Sequence, residues 1–126
     1  MKLNHKCIRE VLLYIESQDT YNNFTKITND SIAKELTQYD FLEVAYTIEK
    51  LHEAFFINAK KSHFIGNSYP SFWIQDISYD GHQFLDTIRD NSVWSETLEK
   101  IKPLTSVSIP ILQSIATAIL SSKLGL

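Results

Sequence analysis

The side chains best suited to metal binding or nucleophilic chemistry are scattered along the chain. No pair of histidines shares a helix face with the cysteine or a carboxylate at the spacing of a zinc site. Three glycines are too few for a phosphate-binding loop, and neither a P-loop nor a G-x-G-x-x-G segment occurs. We therefore expect no enzyme activity and no metal or cofactor. The histidines are His5, His52, His63 and His82.

Two of the reactive side chains have simple structural explanations. Cys7, the one cysteine, borders the apolar face of a predicted helix, where an inert packed thiol is expected. His82 stands four residues before Asp86, a spacing that favours a surface ion pair over a catalytic dyad. A lone cysteine fits a reducing compartment, and the polar start of the chain is unlike a signal peptide. We predict a cytoplasmic protein.

A second group of polar side chains could contact double-stranded DNA. They lie in two segments, which predict the exposed side of a second helix in a helix-turn-helix and a following β-hairpin, or wing. Against this reading, residues 40–54 carry four acidic residues and one lysine, and carboxylates oppose phosphate binding. The candidate contact residues are Gln38, Tyr39, Tyr46, Thr47, Lys50, Lys60, Lys61, His63, Asn67 and Ser68.

The same scaffold could instead serve protein–protein contacts without binding DNA. Fold does not determine function, and an acidic second helix would suit a basic protein partner. Exposed aromatic side chains would suit such an interface, although each could equally be partly buried against the wing or the last helix. These aromatic residues are Tyr21, Tyr39, Tyr69 and Trp73.

The elements that must position these residues begin with three helices. An Asn4-capped helix is predicted over residues 5–17, followed by a short edge strand over 24–27. Thr28 caps a second helix that buries Ile32, Ala33 and Leu36. Residues 37–40 break that helix, and Asp40 caps the third, over 41–54, with Glu43 completing a capping box.

The third helix has two faces and leads into the wing. Its spacing predicts an exposed side with Glu43, Tyr46, Thr47, Lys50 and Glu53. The residues predicted to be buried are Phe41, Val44, Ala45, Ile48, Leu51 and Phe55. Residues 56–60 and 71–77 predict antiparallel strands, and the turn-forming residues between them predict the tip of a hairpin.

Three more helical segments follow the wing. Ser78 caps the first, which is predicted to bury Phe84, Leu85 and Ile88. Gly81 in its first turn is expected to approach the sheet closely. The second helical segment runs from residue 93 to Lys102, and Pro103 ends it. The last segment, over 108–123, is capped by Ser108, and its side chains are apolar around most of the helix circumference. This pattern favours a dimerisation element over an intrachain core helix or a helix on a membrane surface. The candidate dimer contacts are Ile109, Leu112, Ile115, Ala116, Ile119 and Leu120.

Two resemblances support this reading. The run from helix 2 into the wing resembles the winged helix-turn-helix of MarR-type and PadR-type regulators, except that Phe55 occupies the position of their glycine. We expect the helix to end differently there, because phenylalanine disfavours a left-handed backbone. The chain also resembles an uncharacterised family of small bacterial and phage-associated proteins. This resemblance lies in segments 2–4, 7–9, 12–16, 77–90 and 93–94, with 106–108 and the apolar tail.

Length and composition set the outer limits. A chain of 126 residues with 44% hydrophobic residues can fill one core, and a net charge of −3 does not favour a polyanion partner overall. We predict an α+β fold: a winged helix-turn-helix over residues 1–102, with a small antiparallel wing, and additional C-terminal helices that end in an apolar element over 103–126. The leading function is a dimeric DNA-binding regulator, and the alternative is a protein-interaction module.

Overall fold

Helices alternate with short strands in the first two thirds of the chain. The computed structural model describes residues 1–21, 26–63, 65–66 and 68–126. These residues form six helices and a three-stranded antiparallel sheet, an α+β fold compatible with a winged-helix-like layout. The elements are α1 (His5–Ser17), β1 (Ile27–Thr28), α2 (Asn29–Glu35), α3 (Phe41–Glu53), β2 (Ile57–Ser62), β3 (Ser71–Ile77), α4 (Tyr79–Ile88), α5 (Asn91–Ile101) and α6 (Ile109–Lys123).

The chain divides into two compact units, Met1–His82 and Gln83–Leu126. In the first unit, α3 packs on both α1 and α2, and α1 and α2 also contact the central strand of the sheet, β3. The amphipathic spacing of α1 makes this possible, because Ile8, Val11, Leu12 and Ile15 fall on one side of the helix and are buried. The helix begins as predicted, with the Asn4 side chain accepting the first backbone N–H groups.

The sheet has the strand order β1–β3–β2, so β3 lies in the centre. Phe72, Ile74 and Ile77 of β3 are buried on the inner face, whereas Trp73 lies on the outer face between Thr28 of β1 and Lys60 of β2. Both hairpin strands are confirmed. The edge strand predicted over residues 24–27 is confirmed at Ile27, and it extends to Thr28. Phe24 and Thr25 lie outside the described residues.

The α2–α3 pair follows the capping signals with one exception. Thr28 caps α2, and its hydroxyl and the Ser31 hydroxyl each bond the other residue's backbone N–H, a complete capping box. Asp40 caps α3 by accepting the Phe41 N–H. The box predicted for α3 is wrong, because Glu43 Oε1 instead accepts a hydrogen bond from Asn4 Nδ2 at 2.8 Å.

The two faces of α3 differ from the prediction at three positions. Val44, Ala45, Ile48 and Leu51 are buried as expected. Phe41 is 38% exposed and Phe55 is 76% exposed, so neither belongs to the core. Thr47, predicted on the exposed side, is 1% exposed, because α1 packs over this part of α3 and covers it.

The end of α3 corrects another expectation. Phe55 adopts a left-handed backbone, with φ of 61°. Its N–H donates to the His52 carbonyl and the Phe56 N–H donates to the Leu51 carbonyl, which is the Schellman pattern usually formed by glycine. The helix therefore ends as a glycine-capped helix does, and the two hydrogen bonds outweigh the conformational preference of phenylalanine.

Replacing Phe55 with glycine is expected to stabilise the chain by about 0.5–1 kcal/mol, because glycine adopts this backbone without the steric cost of a Cβ. Urea unfolding measures the change. Phe55→Ala is the matched control, since it removes the exposed ring but keeps the Cβ. A loss of stability in Phe55→Gly would mean that the ring contributes more than the backbone costs.

The start of α4 depends on Gly81. The Ser78 hydroxyl accepts the Gly81 N–H at 3.1 Å, which confirms Ser78 as the cap. A Cβ placed on Gly81 would lie 2.1 Å from the Phe56 carbonyl oxygen and 2.6 Å from Ile77 Cγ2. The predicted close approach of this glycine to the sheet is therefore confirmed.

The second unit contains the rest of α4, with α5 and α6 packed on each other. Phe84, Leu85 and Ile88 are buried as predicted. Asp90 caps α5 by accepting the N–H groups of Ser92 and Val93. Ser108 occupies the cap position of α6, but its hydroxyl makes no capping hydrogen bond.

Candidate nucleic-acid interface

The candidate contact residues of α3 are only partly available. The Thr47 hydroxyl is buried and donates to the Glu43 carbonyl at 2.8 Å, a bond within the helix that leaves nothing to present to a DNA groove. Tyr46 and Lys50 are partly exposed, so they remain on the surface. The buried position of Thr47 follows from packing, which the helical spacing alone did not reveal.

The positive charge of Lys50, the lysine of α3, is paired with a carboxylate of the same helix. Its Nζ lies 2.7 Å from Glu53 Oε2 and 5.3 Å from the centre of the Tyr46 ring. The hydrogen bond with Glu53 raises the pKa of Lys50, and the same bond lowers the pKa of Glu53. Since Glu49 is also partly exposed, the outer surface of α3 presents more negative than positive charge.

The turn before α3 contributes two further candidates. Gln38 is exposed, whereas Tyr39 is partly buried, and burial is the main reason that the pKa of its hydroxyl is raised. At the start of α3, Phe41 and Leu42 are 38% and 50% exposed. The Phe41 ring lies 5.5 Å from the ring of Tyr69, and we call these three residues the apolar corner.

The hairpin carries the remaining candidates on its two faces. Lys60, Lys61, His63 and Ser68 are all exposed, and Asn67 lies outside the described residues. Lys61 helps to lower the pKa of Glu53, which places it near the acidic end of α3. Lys60 projects to the other face, where its Cα partner is Trp73.

The outer face of the sheet brings together an indole and two lysines. Lys60 Nζ lies 5.6 Å from the centre of the Trp73 ring, and Lys26 Nζ lies 4.5 Å from it. Trp73 is 46% exposed, so the partial burial considered for it leaves much of the ring in solvent. We call Lys26, Lys60 and Trp73 the lysine–tryptophan face. It combines positive charge with an accessible aromatic ring.

Two residues important for this face did not stand out in the sequence. Lys26 precedes an edge strand of two residues, and only strand pairing brings it to Trp73. Asn29 is 2% exposed; its Nδ2 donates to the Pro70 carbonyl at 3.0 Å and its Oδ1 accepts the Phe72 N–H at 3.2 Å. A polar residue in the first turn of a helix is a weak signal, because capping alone would explain it.

Reactive side chains have structural partners. Cys7 is fully buried, with its Sγ 3.4 Å from the Thr47 hydroxyl oxygen, and burial raises the pKa of the thiol. His82 faces Glu16 at 3.8 Å rather than Asp86, which pairs with Arg89, so the predicted ion pair is wrong in its partner. Among the described residues, no group of three or more potential ligands is placed to hold a metal ion.

The apolar surface of α6 is divided between core and solvent. Leu112 and Ala116, two of the candidate dimer contacts, are buried within the chain at 1% and 0% exposure, so they are not surface residues. Ile109, Ile115, Ile119 and Leu120 are partly exposed. Ile111, which the predicted contacts did not include, is 52% exposed.

Comparisons with known proteins identify the family. In the part of the chain that the structure describes, no helix is long and apolar enough to cross a membrane. No solved structure matches the chain. An uncharacterised protein of Haemophilus influenzae (strain ATCC 51907 / DSM 11121 / KW20 / Rd) is 27% identical over 126 residues, which covers 99% of this chain and 100% of the relative. The family model described as Hypothetical protein (DUF2513) matches residues 2–108, and the chain therefore belongs to this uncharacterised family.

Proposed function

We propose that this chain is a winged helix-turn-helix protein that binds double-stranded DNA through its wing. The order of α1, β1, α2, α3, β2 and β3, with β3 central in the sheet, is the order expected of that fold. In the proposal α2 and α3 are the helix-turn-helix and the β2–β3 hairpin is the wing. A regulatory role, of the kind carried by mobile elements, is part of the same proposal.

The lysine–tryptophan face is the observation that carries the proposal. It places two exposed lysines next to Trp73 on the outer face of the sheet, one from each side of β3, although the chain as a whole is acidic. Lysine side chains bind phosphate as mobile point charges, and phosphate neutralisation supplies most of the non-specific affinity for DNA. A local basic surface of this kind can bind DNA even when the net charge is negative.

In this proposal α3 has a smaller part than in most helix-turn-helix proteins. Its lysine is paired with Glu53, and Glu49 is also at the surface. Carboxylates at the groove would repel phosphates, so we expect contacts to be limited to Tyr46 of α3 and to Gln38 and Tyr39 in the turn before it. Affinity should therefore depend on the two lysines of the lysine–tryptophan face more than on any residue of α3.

Reversing both lysine charges, Lys26→Glu with Lys60→Glu, is expected to weaken duplex binding about 100-fold at roughly 0.1 M salt, since each phosphate contact contributes about tenfold there. The slope of log Kd against log salt concentration should decrease by about the contribution of two phosphate contacts. Fluorescence anisotropy with labelled duplex fragments of the encoding genome measures both quantities.

The matched control is Lys2→Glu with Lys102→Glu, which makes the same charge change at exposed lysines distant in sequence. It should reduce the affinity for duplex DNA much less than Lys26→Glu with Lys60→Glu does. Equal losses in the two double variants, or no retention of any duplex by the wild-type chain at near-physiological salt, would contradict the proposal.

The apolar corner favours protein interaction as a second candidate function. Phe41 and Leu42 expose large apolar side chains beside acidic residues of α3, and aromatic residues are enriched in protein interfaces. Phe41→Ser with Leu42→Ser tests this surface in the same binding assay. If DNA binding does not use the apolar corner, this variant binds duplex DNA with wild-type affinity. If the apolar corner serves a protein partner, the variant loses binding to that partner and keeps its binding to DNA.

Self-association through α6 completes the proposal. Ile111 is half exposed, and Ile115, Ile119 and Leu120 remain partly exposed on a helix whose one charged side chain is Lys123. Apolar surface of this kind is covered by a second copy in many helical dimers. Sedimentation equilibrium is expected to give twice the monomer mass for the wild-type chain and the monomer mass for Ile111→Glu. A monomeric wild-type chain at all concentrations would contradict the dimer.

A further inference from the structure

The lysine–tryptophan face presents a flat aromatic ring and two positive charges at one place. The Lys26 and Lys60 ammonium groups lie 4.5 and 5.6 Å from the centre of the Trp73 ring. Because β3 lies between β1 and β2, the two lysines reach the indole from the two sides of its strand. Trp73 as a residue is 46% exposed, so a ligand can reach its side chain.

Trp73 is held firmly enough to act as a platform. Its strand is the central one, and its Cα partners are Thr28 and Lys60. The preceding residue, Phe72, is buried, and its backbone N–H donates to Asn29 Oδ1. A flat ligand that stacks on this ring therefore does not have to order the backbone that carries it.

The chemistry of the face matches a single-stranded polynucleotide. Such a chain exposes base faces that stack on aromatic rings, and it carries a phosphate next to each base. A blunt duplex hides the faces of its bases within its own stack and offers only phosphates. An acidic peptide likewise supplies negative charge without a flat ring, so it would use the lysines and leave the indole unused.

We infer that Trp73 is a stacking site for an unpaired base of single-stranded DNA or RNA, with Lys26 and Lys60 binding the neighbouring phosphates. One ammonium group leaves the indole for a phosphate, and the base takes its place on the ring. The inference goes beyond the proposed function, although it uses the same two lysines. It adds a preference for single strands over a blunt duplex of equal length.

Tryptophan fluorescence can test this inference directly. The chain has two tryptophans, and the second, Trp94, is only 8% exposed. Trp94→Phe leaves Trp73 as the single indole, which is titrated with oligo(dT), oligo(rU), a blunt duplex and poly-glutamate of matched charge. The expected result is saturable quenching by one or both single strands at lower concentration than by the duplex, with little quenching by poly-glutamate.

Substitutions at Trp73 provide the second readout, by anisotropy of a labelled oligonucleotide with Trp94 intact. Trp73→Thr keeps a strand-forming residue and removes the ring, and single-strand affinity should fall roughly tenfold. Trp73→Phe should recover part of that loss, whereas blunt-duplex affinity should change little in either variant. The Lys2→Glu and Lys102→Glu control should bind single strands nearly as the wild type does.

The outcomes separate this inference from the proposed function. Tight duplex binding without quenching of Trp73 by either single strand would overturn the inference and leave the proposed function standing. Single-strand quenching without duplex binding would support the inference and overturn the duplex proposal. Equal quenching by poly-glutamate, or unchanged single-strand affinity in Trp73→Thr, would overturn the stacking site; oligo(dT) and oligo(rU) distinguish DNA from RNA.

Discussion

Replacing Asn29 with alanine is expected to lower the free energy of unfolding by about 2–4 kcal/mol, because it leaves two buried backbone groups without their hydrogen-bond partner. Asn29 Nδ2 donates to the Pro70 carbonyl, and Asn29 Oδ1 accepts the Phe72 N–H. The side chain therefore joins the start of α2 to the start of β3. A loss of this size is a large part of the 5–15 kcal/mol that stabilises a typical domain.

Urea unfolding of Asn29→Ala against the wild-type chain measures this loss. Lys34→Ala in the same helix is the matched control, since Lys34 is exposed and its removal should change stability by less than about 0.5 kcal/mol. Amide exchange at Phe72 should also accelerate in Asn29→Ala, because its N–H loses its acceptor. A variant as stable as the control would refute the role of Asn29 as the link between α2 and β3.

Gly81→Ala is expected to destabilise the chain by about 1–3 kcal/mol or more, because the new Cβ overpacks a contact that cannot relax easily. The nearest atom, the Phe56 carbonyl oxygen at 2.1 Å, belongs to the backbone and accepts the Ser78 N–H. The sign of the change is informative. Alanine is favoured over glycine by about 1 kcal/mol at an ordinary helix position, so propensity alone predicts stabilisation.

Gln83→Ala is the control for this prediction, since Gln83 is an exposed residue of α4. It should leave the unfolding midpoint unchanged or raise it slightly. If Gly81→Ala raised the midpoint as well, the approach of α4 to Phe56 and Ile77 would be looser than the distances indicate. Thermal unfolding of both variants with the wild type gives the comparison.

Much of the fold could be predicted from local signals. Asn4, Thr28, Asp40 and Ser78 all cap the helices that they were predicted to cap, because a capping side chain bonds backbone groups within the next turn. The alternation of buried and exposed residues over positions 72–75 of β3 is equally local. These interactions join neighbours in the chain, so spacing and residue type are enough to locate them.

The candidate site was less predictable because its contacts join distant residues. Helical spacing placed Thr47 on the exposed side, but the packing of α1 on α3 buries it. Likewise, Glu43 was expected to complete a capping box and instead accepts a hydrogen bond from Asn4. In both cases a tertiary contact replaced the partner that the local pattern indicated.

The residue sequence alone determined the order of helices and strands, most of the caps, the core residues of α2 and α4, and the close approach at Gly81. It also pointed to the unusual residue at the end of α3, although not to its left-handed backbone. Which polar side chains share a surface depended on the tertiary structure. Lys26, Lys60 and Trp73 are separated by up to 47 positions and meet only because β1 and β2 both pair with β3, a long-range arrangement that no local spacing encodes.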